Sequence, residues 1–501
     1  MTKVATALEP RAEGVKSHLL EESILPVLRK QRTIGTWGFV YIWIGIAVII
    51  ATFQLGAAGV EAVPLTVVVP IILLANVALA VLMTLTADIG TEHGLSFAVY
   101  LRAPFGTAGT HLPALFRGVI AAIWFGIQTY LGALAINGIV EYFTGFSSWA
   151  LWYAVFAVVQ VMNTAYGIKA VEKLADIAAP AIIAISIWMY FVLDDVARAK
   201  GLNIWTWTGS KDTTVMTLFL ANLAFWSTLA IDIPNITRFL KAEPTKSFAR
   251  RNRHVFWAQL VALPLTQTWV AVIGAASFIA AGNWNPIEVI QTQATGFRLL
   301  VLLALVVLAQ WSTNNAANLI PAALTFVNAG APRLGYKTGV WLAGIIGTLS
   351  MPWLILDNLF SFLFSYGSFL STIGGIMIAD YYLLRRRRLN VPDLYDPGGQ
   401  FRFMRGVNPA GMLTWLIGGA LAFYSGAWAF VVGFLVGFVL YLVLMKLWVL
   451  DAYPQSEITS GYSDSYLGTS VDQNWVYSEQ KGFSRVATAA LTDEKLTRED
   501  L

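Results

Sequence analysis

The sequence predicts an all-α integral membrane protein with twelve transmembrane helices. Of its 501 residues, 57% are hydrophobic and only 12% are charged, whereas a soluble domain carries roughly 25% charged residues. So few ionic groups cannot cover a water-exposed surface of this size. The apolar runs are about 20 residues long, which suits helices that cross a bilayer and exceeds the length of barrel strands.

Composition also excludes several kinds of chemistry. The chain has no cysteine and four histidines, which excludes disulfides, thiolate metal sites and cysteine nucleophiles and leaves little for a metal cluster. An intramembrane enzyme needs acids, bases or metal ligands gathered at one depth, and the apolar segments lack such a cluster. We therefore expect a protein that is not an enzyme and does not bind nucleic acid.

Polar tails flank the apolar region. Residues 1–34 contain six basic residues and lack the short apolar run of a secretory signal, so we expect a cytoplasmic N-terminal tail. Residues 451–501 contain nine acidic and four basic residues and no run long enough to cross a membrane. We expect this segment to be a mostly solvated cytoplasmic C-terminal tail.

Residues 35–450 divide into twelve segments of about 35 residues, each enough for roughly 20 spanning residues and a loop. Residues 35–385 are predicted to form a ten-helix transport core, and residues 386–450 a cytoplasmic loop and two further helices. We number the segments spans 1 to 12, and they cover residues 36–59, 64–87, 112–139, 147–167, 174–195, 213–232, 254–281, 297–327, 338–355, 358–384, 409–425 and 427–447.

Basic residues are distributed unevenly between the loops. The loops after even-numbered spans hold most of them, including six from Arg238 to Arg253 and the run Arg385–Arg388. The loops after odd-numbered spans contain only Arg198, Lys200, Lys211 and Arg298. This asymmetry predicts that both termini are cytoplasmic, and we interpret Arg385–Arg388 as the cytoplasmic anchor of span 10.

Polar residues inside the membrane concentrate in spans 3, 6 and 8, and span 1 is rich in glycine. Trp124 and Gln128 lie one helical turn apart in span 3, as do Asn314 and Asn318 in span 8, while Trp226 lies in span 6. Spans 1 and 6 are five apart in order, and so are spans 3 and 8. The pattern favours an inverted-repeat transporter with its site at the midplane of the membrane.

Indole rings and carboxamides suit a planar, neutral solute that forms hydrogen bonds. The faces of Trp124 and Trp226 can stack on a heterocycle, while Gln128 and Asn318 each offer a donor and an acceptor. A charged solute would require a buried charged residue, and we identify none in mid-span near these positions. Each residue alone also fits a structural role, as an interhelical hydrogen bond or an interfacial tryptophan.

A coupling cation could be bound by oxygen atoms of spans 1 and 8. Ser312 and Thr313 provide adjacent hydroxyls, and a break in span 1 near Gly45 would free carbonyl oxygens. Sodium suits this set better than a proton, because a proton relay needs a titratable group within the membrane and Asp232 is the only plausible candidate. Asp232 equally suits the end of span 6, and a Ser-Thr pair can simply bond to its own helix.

Five blocks of sequence, in order along the chain, carry a family resemblance. They are Ala-Pro-Phe-Gly (Ala103–Gly106), Ile-Trp-Phe-Gly-Ile-Gln-Thr-Tyr-Leu-Gly-Ala-Leu (Ile123–Leu134), Ile-Pro-Asn-Ile-Thr-Arg-Phe (Ile233–Phe239), Trp-Ser-Thr-Asn-Asn-Ala-Ala-Asn (Trp311–Asn318) and the segment Gly375–Arg388. With these blocks the chain resembles the nucleobase:cation symporter-1 family, especially its bacterial hydantoin and allantoin permeases.

The resemblance implies a LeuT-type fold, in which ten helices form two inverted five-helix repeats, two more helices follow, and substrate moves by alternating access. The family's stacking tryptophans correspond to Trp124 and Trp226, and its hydrogen-bonding amides to Gln128 and Asn318. We add Asn314 to this predicted substrate-binding set. The implied sodium ligands are the carbonyls of Gly45, Val48 and Ala309 and the hydroxyls of Ser312 and Thr313.

One position departs from the family pattern. The hydantoin and allantoin carriers have Gln or Asn six residues after the tryptophan of span 1, and counting from Trp43 that position is Ile49. An apolar wall facing a polar substrate group is unfavourable. We therefore predict that Ile49 contacts an apolar substrate edge, as in a 5-substituted hydantoin, a dihydropyrimidine or a pyrimidine base such as uracil, in preference to allantoin.

The sequence thus predicts a sodium-coupled importer of a small planar nitrogen heterocycle, functional as a monomer in a bacterial plasma (inner) membrane. Two alternatives remain open. One is a proton-coupled nucleobase or allantoin permease, and the other is a membrane sensor that binds such ligands without transporting them.

Overall fold

The computed structural model describes residues 17–166, 168–285, 288–289, 292, 295–356, 359–459 and 461–491, and it places helices at all twelve predicted spans. Within these described residues, seven helices are long and apolar enough to cross a membrane, and a bent pair in span 1 makes an eighth. Three shorter apolar helices occupy spans 4, 6 and 11, and span 9 begins with the helix Tyr336–Thr348.

Several spans are interrupted. In spans 1 to 6 the helices are Thr36–Ala47 with Ile50–Val60, Leu65–His93, His111–Thr144, Trp149–Ala165, Ile168–Ala199, and Val215–Phe225 with Ser227–Asp232 and Pro234–Thr237. Span 7 consists of Arg253–Val255, Phe256–Ala262 and Leu263–Ala281, and span 8 of Phe297–Asn314, Asn315–Leu319 and Ile320–Gly330. Span 9 consists of Tyr336–Thr348 and Pro352–Leu356, and span 10 of Leu359–Ile378 and Ala379–Leu384. Span 11 is Pro409–Tyr424, and span 12 consists of Ala429–Leu444, Met445–Val449 and Leu450–Ala452. Two short helices, Phe97–Tyr100 and Arg102–Phe105, connect spans 2 and 3.

The spans pack in three groups. Span 3 contacts spans 4, 8 and 9, and span 7 contacts spans 1, 2 and 5. Span 10 packs on spans 11 and 12. The predicted site residues of spans 1, 3, 6 and 8 are buried within this packing.

The expectation of a mostly solvated C-terminal tail is wrong for residues 453–491. Strands β1 (Gln473–Ser478) and β2 (Gly482–Ala487) form an antiparallel hairpin. The backbone N–H groups of Gly468 and Ser470 each donate to Glu92 Oε1 at 3.0 Å, at the end of span 2. The segment is polar in composition, but it is not solvated, because buried charged residues of the bundle supply its hydrogen-bond partners. Residues 17–34 and 453–491 pack at the same end of the bundle, and we call this end the tail face.

Arg385, the first residue of the predicted cytoplasmic anchor, is buried in the protein. Its side chain is fully buried, and it pairs with Asp380 at 2.7 Å and with Glu457 of the C-terminal segment. These carboxylates neutralise the guanidinium inside the protein. Within the predicted anchor Arg385–Arg388, Arg385 is therefore held by a buried ionic network.

Candidate functional site

Two interrupted helices frame the candidate site. Span 1 ends its first helix at Ala47 and resumes at Ile50 with a bend of 57°, so the break predicted near Gly45 falls at Val48 and Ile49. Span 6 is interrupted at Trp226, whose backbone (φ −94°, ψ 8°) separates two helices. Interrupted helices leave backbone polar groups without helical partners, and such groups can serve a ligand or an ion at membrane depth.

The two predicted tryptophans belong to one buried aromatic cluster. The ring of Trp124 meets Phe225 edge to face at 5.9 Å, and Phe225 meets Trp226 in the same way at 4.9 Å. Trp43 of span 1 packs against Trp226 at 6.4 Å. The indole N–H of Trp226 donates to Gln267 Oε1, which fixes the orientation of the ring. Trp124 of span 3 and Trp226 of span 6 are thus linked through Phe225.

The side-chain amides beside this cluster differ in whether their polar atoms are hydrogen-bonded. Gln128 lies one turn beyond Trp124 on span 3, and its Oε1 is buried without a hydrogen-bond partner among the described residues. Asn318 donates from Nδ2 to Asn314 Oδ1 at 2.8 Å. Buried amide oxygens are normally paired, so the Gln128 oxygen is an acceptor available to a ligand N–H.

The side-chain amide of Asn314 forms its hydrogen bonds with other groups of the protein. Its Nδ2 lies 3.0 Å from the Phe125 carbonyl, 3.1 Å from Thr129 Oγ1 and 2.9 Å from Gln160 Oε1, while its Oδ1 accepts from Asn318. Protein groups therefore satisfy this fully buried amide. Asn314 ties span 8 to spans 3 and 4 and positions Asn318, and its role as a substrate contact stays a prediction.

Three of the predicted cation ligands, Gly45 of span 1 and Ser312 and Thr313 of span 8, lie close together. The Thr313 hydroxyl donates to the Gly45 carbonyl, so it reaches the neighbouring span instead of its own helix. A Cβ on Gly45 would lie only 3.1 Å from Ser312 Oγ, which shows how closely the two spans approach. Val48 lies in the break (φ −90°, ψ 68°), and Ala309 is buried one turn before Thr313.

This set of oxygens fits a monovalent cation. It consists of carbonyls and hydroxyls without a carboxylate, whereas divalent calcium and magnesium sites rely on carboxylate ligands. Within the described ranges, no group of three His, Asp or Glu side chains is arranged to hold a metal ion.

Ile49 occupies the break itself. Its backbone is extended (φ −112°, ψ 149°) and its side chain is only 4% exposed. The position that carries an amide in the resembling permeases is therefore an apolar group at the junction of the two halves of span 1.

Sequence reasoning missed a buried ion pair near the site. Arg117 of span 3 pairs with Asp232 of span 6 at 2.8 Å, and both side chains are 1% exposed. Arg117 Nε also donates to the Thr228 carbonyl at 3.2 Å. Arg117 falls near the start of predicted span 3 and Asp232 at the end of predicted span 6, so both members of the pair were visible in the sequence.

Known proteins resemble the chain over most of its length. A family model described as a permease for cytosine/purines, uracil, thiamine and allantoin matches residues 26–450. A hydantoin permease of Microbacterium maritypicum is 29% identical over 459 residues, which cover 90% of this chain and 93% of that protein. A purine-uracil permease of Arabidopsis thaliana is 30% identical over 433 residues, covering 80% and 70%.

A solved structure shows the same architecture. It is the closed conformation of Mhp1, a nucleobase-cation-symport-1 family transporter, with bromovinylhydantoin bound, and it matches with a TM-score of 0.82 and 28% identity over 89% of this chain and 99% of that one. The all-α, multi-pass LeuT-type fold expected from the sequence is confirmed. By this fold and by the family match over residues 26–450, the chain belongs to the nucleobase:cation symporter-1 family.

Proposed function

We propose that the protein imports a small, neutral, planar nitrogen heterocycle by sodium-coupled alternating access. The observation that carries this proposal is the buried Gln128 Oε1, which has no hydrogen-bond partner among the described residues and lies one turn from Trp124 of the aromatic cluster. An indole face can stack on a planar ring while the amide accepts from a ring N–H. The relatives named for hydantoin and for purines and uracil carry ligands of this chemistry.

Among such heterocycles, we propose a ligand with an apolar edge. Ile49 is buried at the break of span 1 and cannot pair with a substrate carbonyl or N–H. A polar substrate group placed against Ile49 would lose its hydrogen bonds with water, and this loss would reduce the binding free energy by about 1–3 kcal/mol. This supports a 5-substituted hydantoin, a dihydropyrimidine or uracil over allantoin.

Substitution of the amides tests the substrate site. We expect Gln128→Ala and Asn318→Ala each to weaken heterocycle binding about tenfold, since each removes one or two hydrogen bonds to the ligand. Expression should remain intact. Thermal stabilisation of the purified protein by a panel of hydantoins, uracil and allantoin measures the change, because a ligand that binds only the folded state raises its apparent stability.

Asn137→Ala is the matched control, because Asn137 is an amide of the same span that bonds to Ser147 and to the backbone N–H of Ser148, beyond the site. Ligand binding by this variant should equal that of the unmodified protein. Normal binding by both Gln128→Ala and Asn318→Ala would mean that the site lies elsewhere.

Sodium is the proposed coupling ion. The carbonyls of Gly45, Val48 and Ala309 and the hydroxyls of Ser312 and Thr313 would hold it. Bound between spans 1 and 8, the ion would favour the outward-open state that admits substrate, since a ligand shifts a conformational equilibrium by its difference in affinity for the two states. A proton-coupled alternative would use Asp232, but that carboxylate is already engaged by Arg117.

Removal of one hydroxyl tests the sodium proposal. We expect Thr313→Val to reduce the apparent affinity for sodium about tenfold, measured as the sodium concentration that gives half-maximal heterocycle binding. Binding measured without sodium should not change. Thr325→Val is the control, because Thr325 lies on the same span and its hydroxyl bonds to the Pro321 carbonyl of its own helix. Equal sodium dependence in both variants would contradict the assignment.

We further propose that the protein works as a monomer in a bacterial inner membrane, with the tail face in the cytoplasm. The excess of basic residues in the loops after even-numbered spans supports this orientation. Substrate released toward the tail face would then enter the cell.

A further inference from the structure

A cationic cavity of about 340 Å³ opens at the tail face, between the N-terminal segment and the loop after span 6. Backbone hydrogen bonds hold these two segments together, from Ile34 N to the Phe239 carbonyl at 3.1 Å and from Lys241 N to the Ile34 carbonyl at 3.0 Å. The residues that line the cavity are Arg29, Arg32, Lys241, Ala242, Glu243 and Pro244.

Arg32 is the unusual member of this lining. Its side chain is only 5% exposed, Nη1 donates to the Thr91 carbonyl at 2.6 Å, and Nε has no partner among the described residues. No carboxylate of the described chain lies within ion-pair distance of it. Burial, and then the neighbouring Arg29, lower the pKa of Arg32 to about 9. A buried cation without a counter-charge is unfavourable unless an anion joins it.

The other charges around the cavity leave it positive. Glu243 is the only acidic residue of the lining, and its carboxylate pairs with Arg253 at 2.6 Å. Arg29 pairs with Asp472. Lys241 is exposed, and its amino group has no ion-pair partner in the described part of the chain. Arg32 and Lys241 therefore bring two positive charges to one cavity, and neither forms an ion pair within the described residues.

We propose that this cavity binds an anionic phosphoryl group, either inorganic phosphate or the headgroup of an anionic phospholipid. Guanidinium groups bond to phosphoryl oxygens through several N–H donors, and a lysine adds a mobile point charge. The cavity adjoins the contact between Ile34, which precedes span 1, and Phe239, which follows span 6. A bound anion would therefore link the tail-face ends of the two interrupted spans.

Thermal unfolding of the full-length protein with added phosphate tests this site. In detergent, inorganic phosphate is titrated against chloride at matched ionic strength, so that general screening is the same in both. In lipid nanodiscs, phosphatidylglycerol is compared with phosphatidylcholine. We expect Lys241→Ala to weaken the stabilising response about tenfold in apparent affinity. Arg250→Ala, which removes an exposed charge of the same loop outside the cavity, should respond like the unmodified protein.

The two arms identify the source of the phosphoryl group. A response to phosphate in detergent that is lost in Lys241→Ala supports a soluble anion, and a response only to phosphatidylglycerol, lost in the same variant, supports a lipid headgroup. The proposal is overturned if neither probe stabilises the protein, or if Lys241→Ala and Arg250→Ala respond equally.

Discussion

Arg117→Ala is expected to destabilise the folded protein by about 3–5 kcal/mol, because it leaves the Asp232 carboxylate buried without its partner. Both side chains of this pair are 1% exposed and lie 2.8 Å apart. The pair joins span 3 to span 6 between the aromatic cluster and the tail face, since Arg117 precedes Trp124 by about two helical turns. The midpoint of thermal unfolding in detergent measures the loss.

A neutral double variant separates loss of the pair from loss of one partner. Arg117→Met with Asp232→Leu removes both charges and keeps apolar volume, and such replacements are often neutral or stabilising. We expect it to recover most of the stability that Arg117→Ala loses. An unfolding midpoint for Arg117→Ala equal to that of the unmodified protein would show that the ion pair contributes nothing to the fold.

A second large effect is expected where spans 1 and 7 approach most closely. A Cβ on Gly56 would lie 1.8 Å from the Ala271 carbonyl oxygen, and a Cβ on Gly274 would lie 2.0 Å from the Phe53 carbonyl oxygen. Backbone atoms cannot turn aside as a side chain can. Gly56→Ala and Gly274→Ala should therefore force the helices apart and cost at least about 3 kcal/mol, the upper range for overpacking.

Gly367→Ala is the control for this prediction. Gly367 also lies inside a membrane helix, but a Cβ there would find its nearest neighbour, Ser227 Oγ, at 3.6 Å, which is ordinary contact. We expect unchanged or slightly raised stability, because alanine favours a helix over glycine by about 1 kcal/mol. If all three variants unfold at the same temperature, close helix packing does not limit stability here.

Much of the fold could be predicted because lipid imposes simple rules on sequence. Apolar length gave the twelve spans, and the one-turn spacing of Trp124 and Gln128 placed them on one face of span 3. These features depend on local spacing, which a sequence displays directly.

The features that could not be predicted depend on contacts between residues that are far apart in the sequence. Asn314 and Asn318 share a face of span 8, but the acceptors for the Asn314 amide come from Phe125, Thr129 and Gln160 of other spans. The acidic C-terminal segment was predicted to be solvated because its ion-pair partner, Arg385, lies in span 10, far away in the sequence. Such pairing across the bundle leaves no pattern in the local sequence.

Uptake into proteoliposomes tests the central claim most directly. The purified protein is reconstituted, and accumulation of a radiolabelled 5-substituted hydantoin, uracil and allantoin is followed with an inward sodium gradient, with a proton gradient alone, and with neither. We predict accumulation above the equilibrium level only with the sodium gradient, and for the hydantoin or uracil in preference to allantoin. Accumulation that follows the proton gradient without sodium, transport of allantoin alone, or binding without any accumulation would contradict the account.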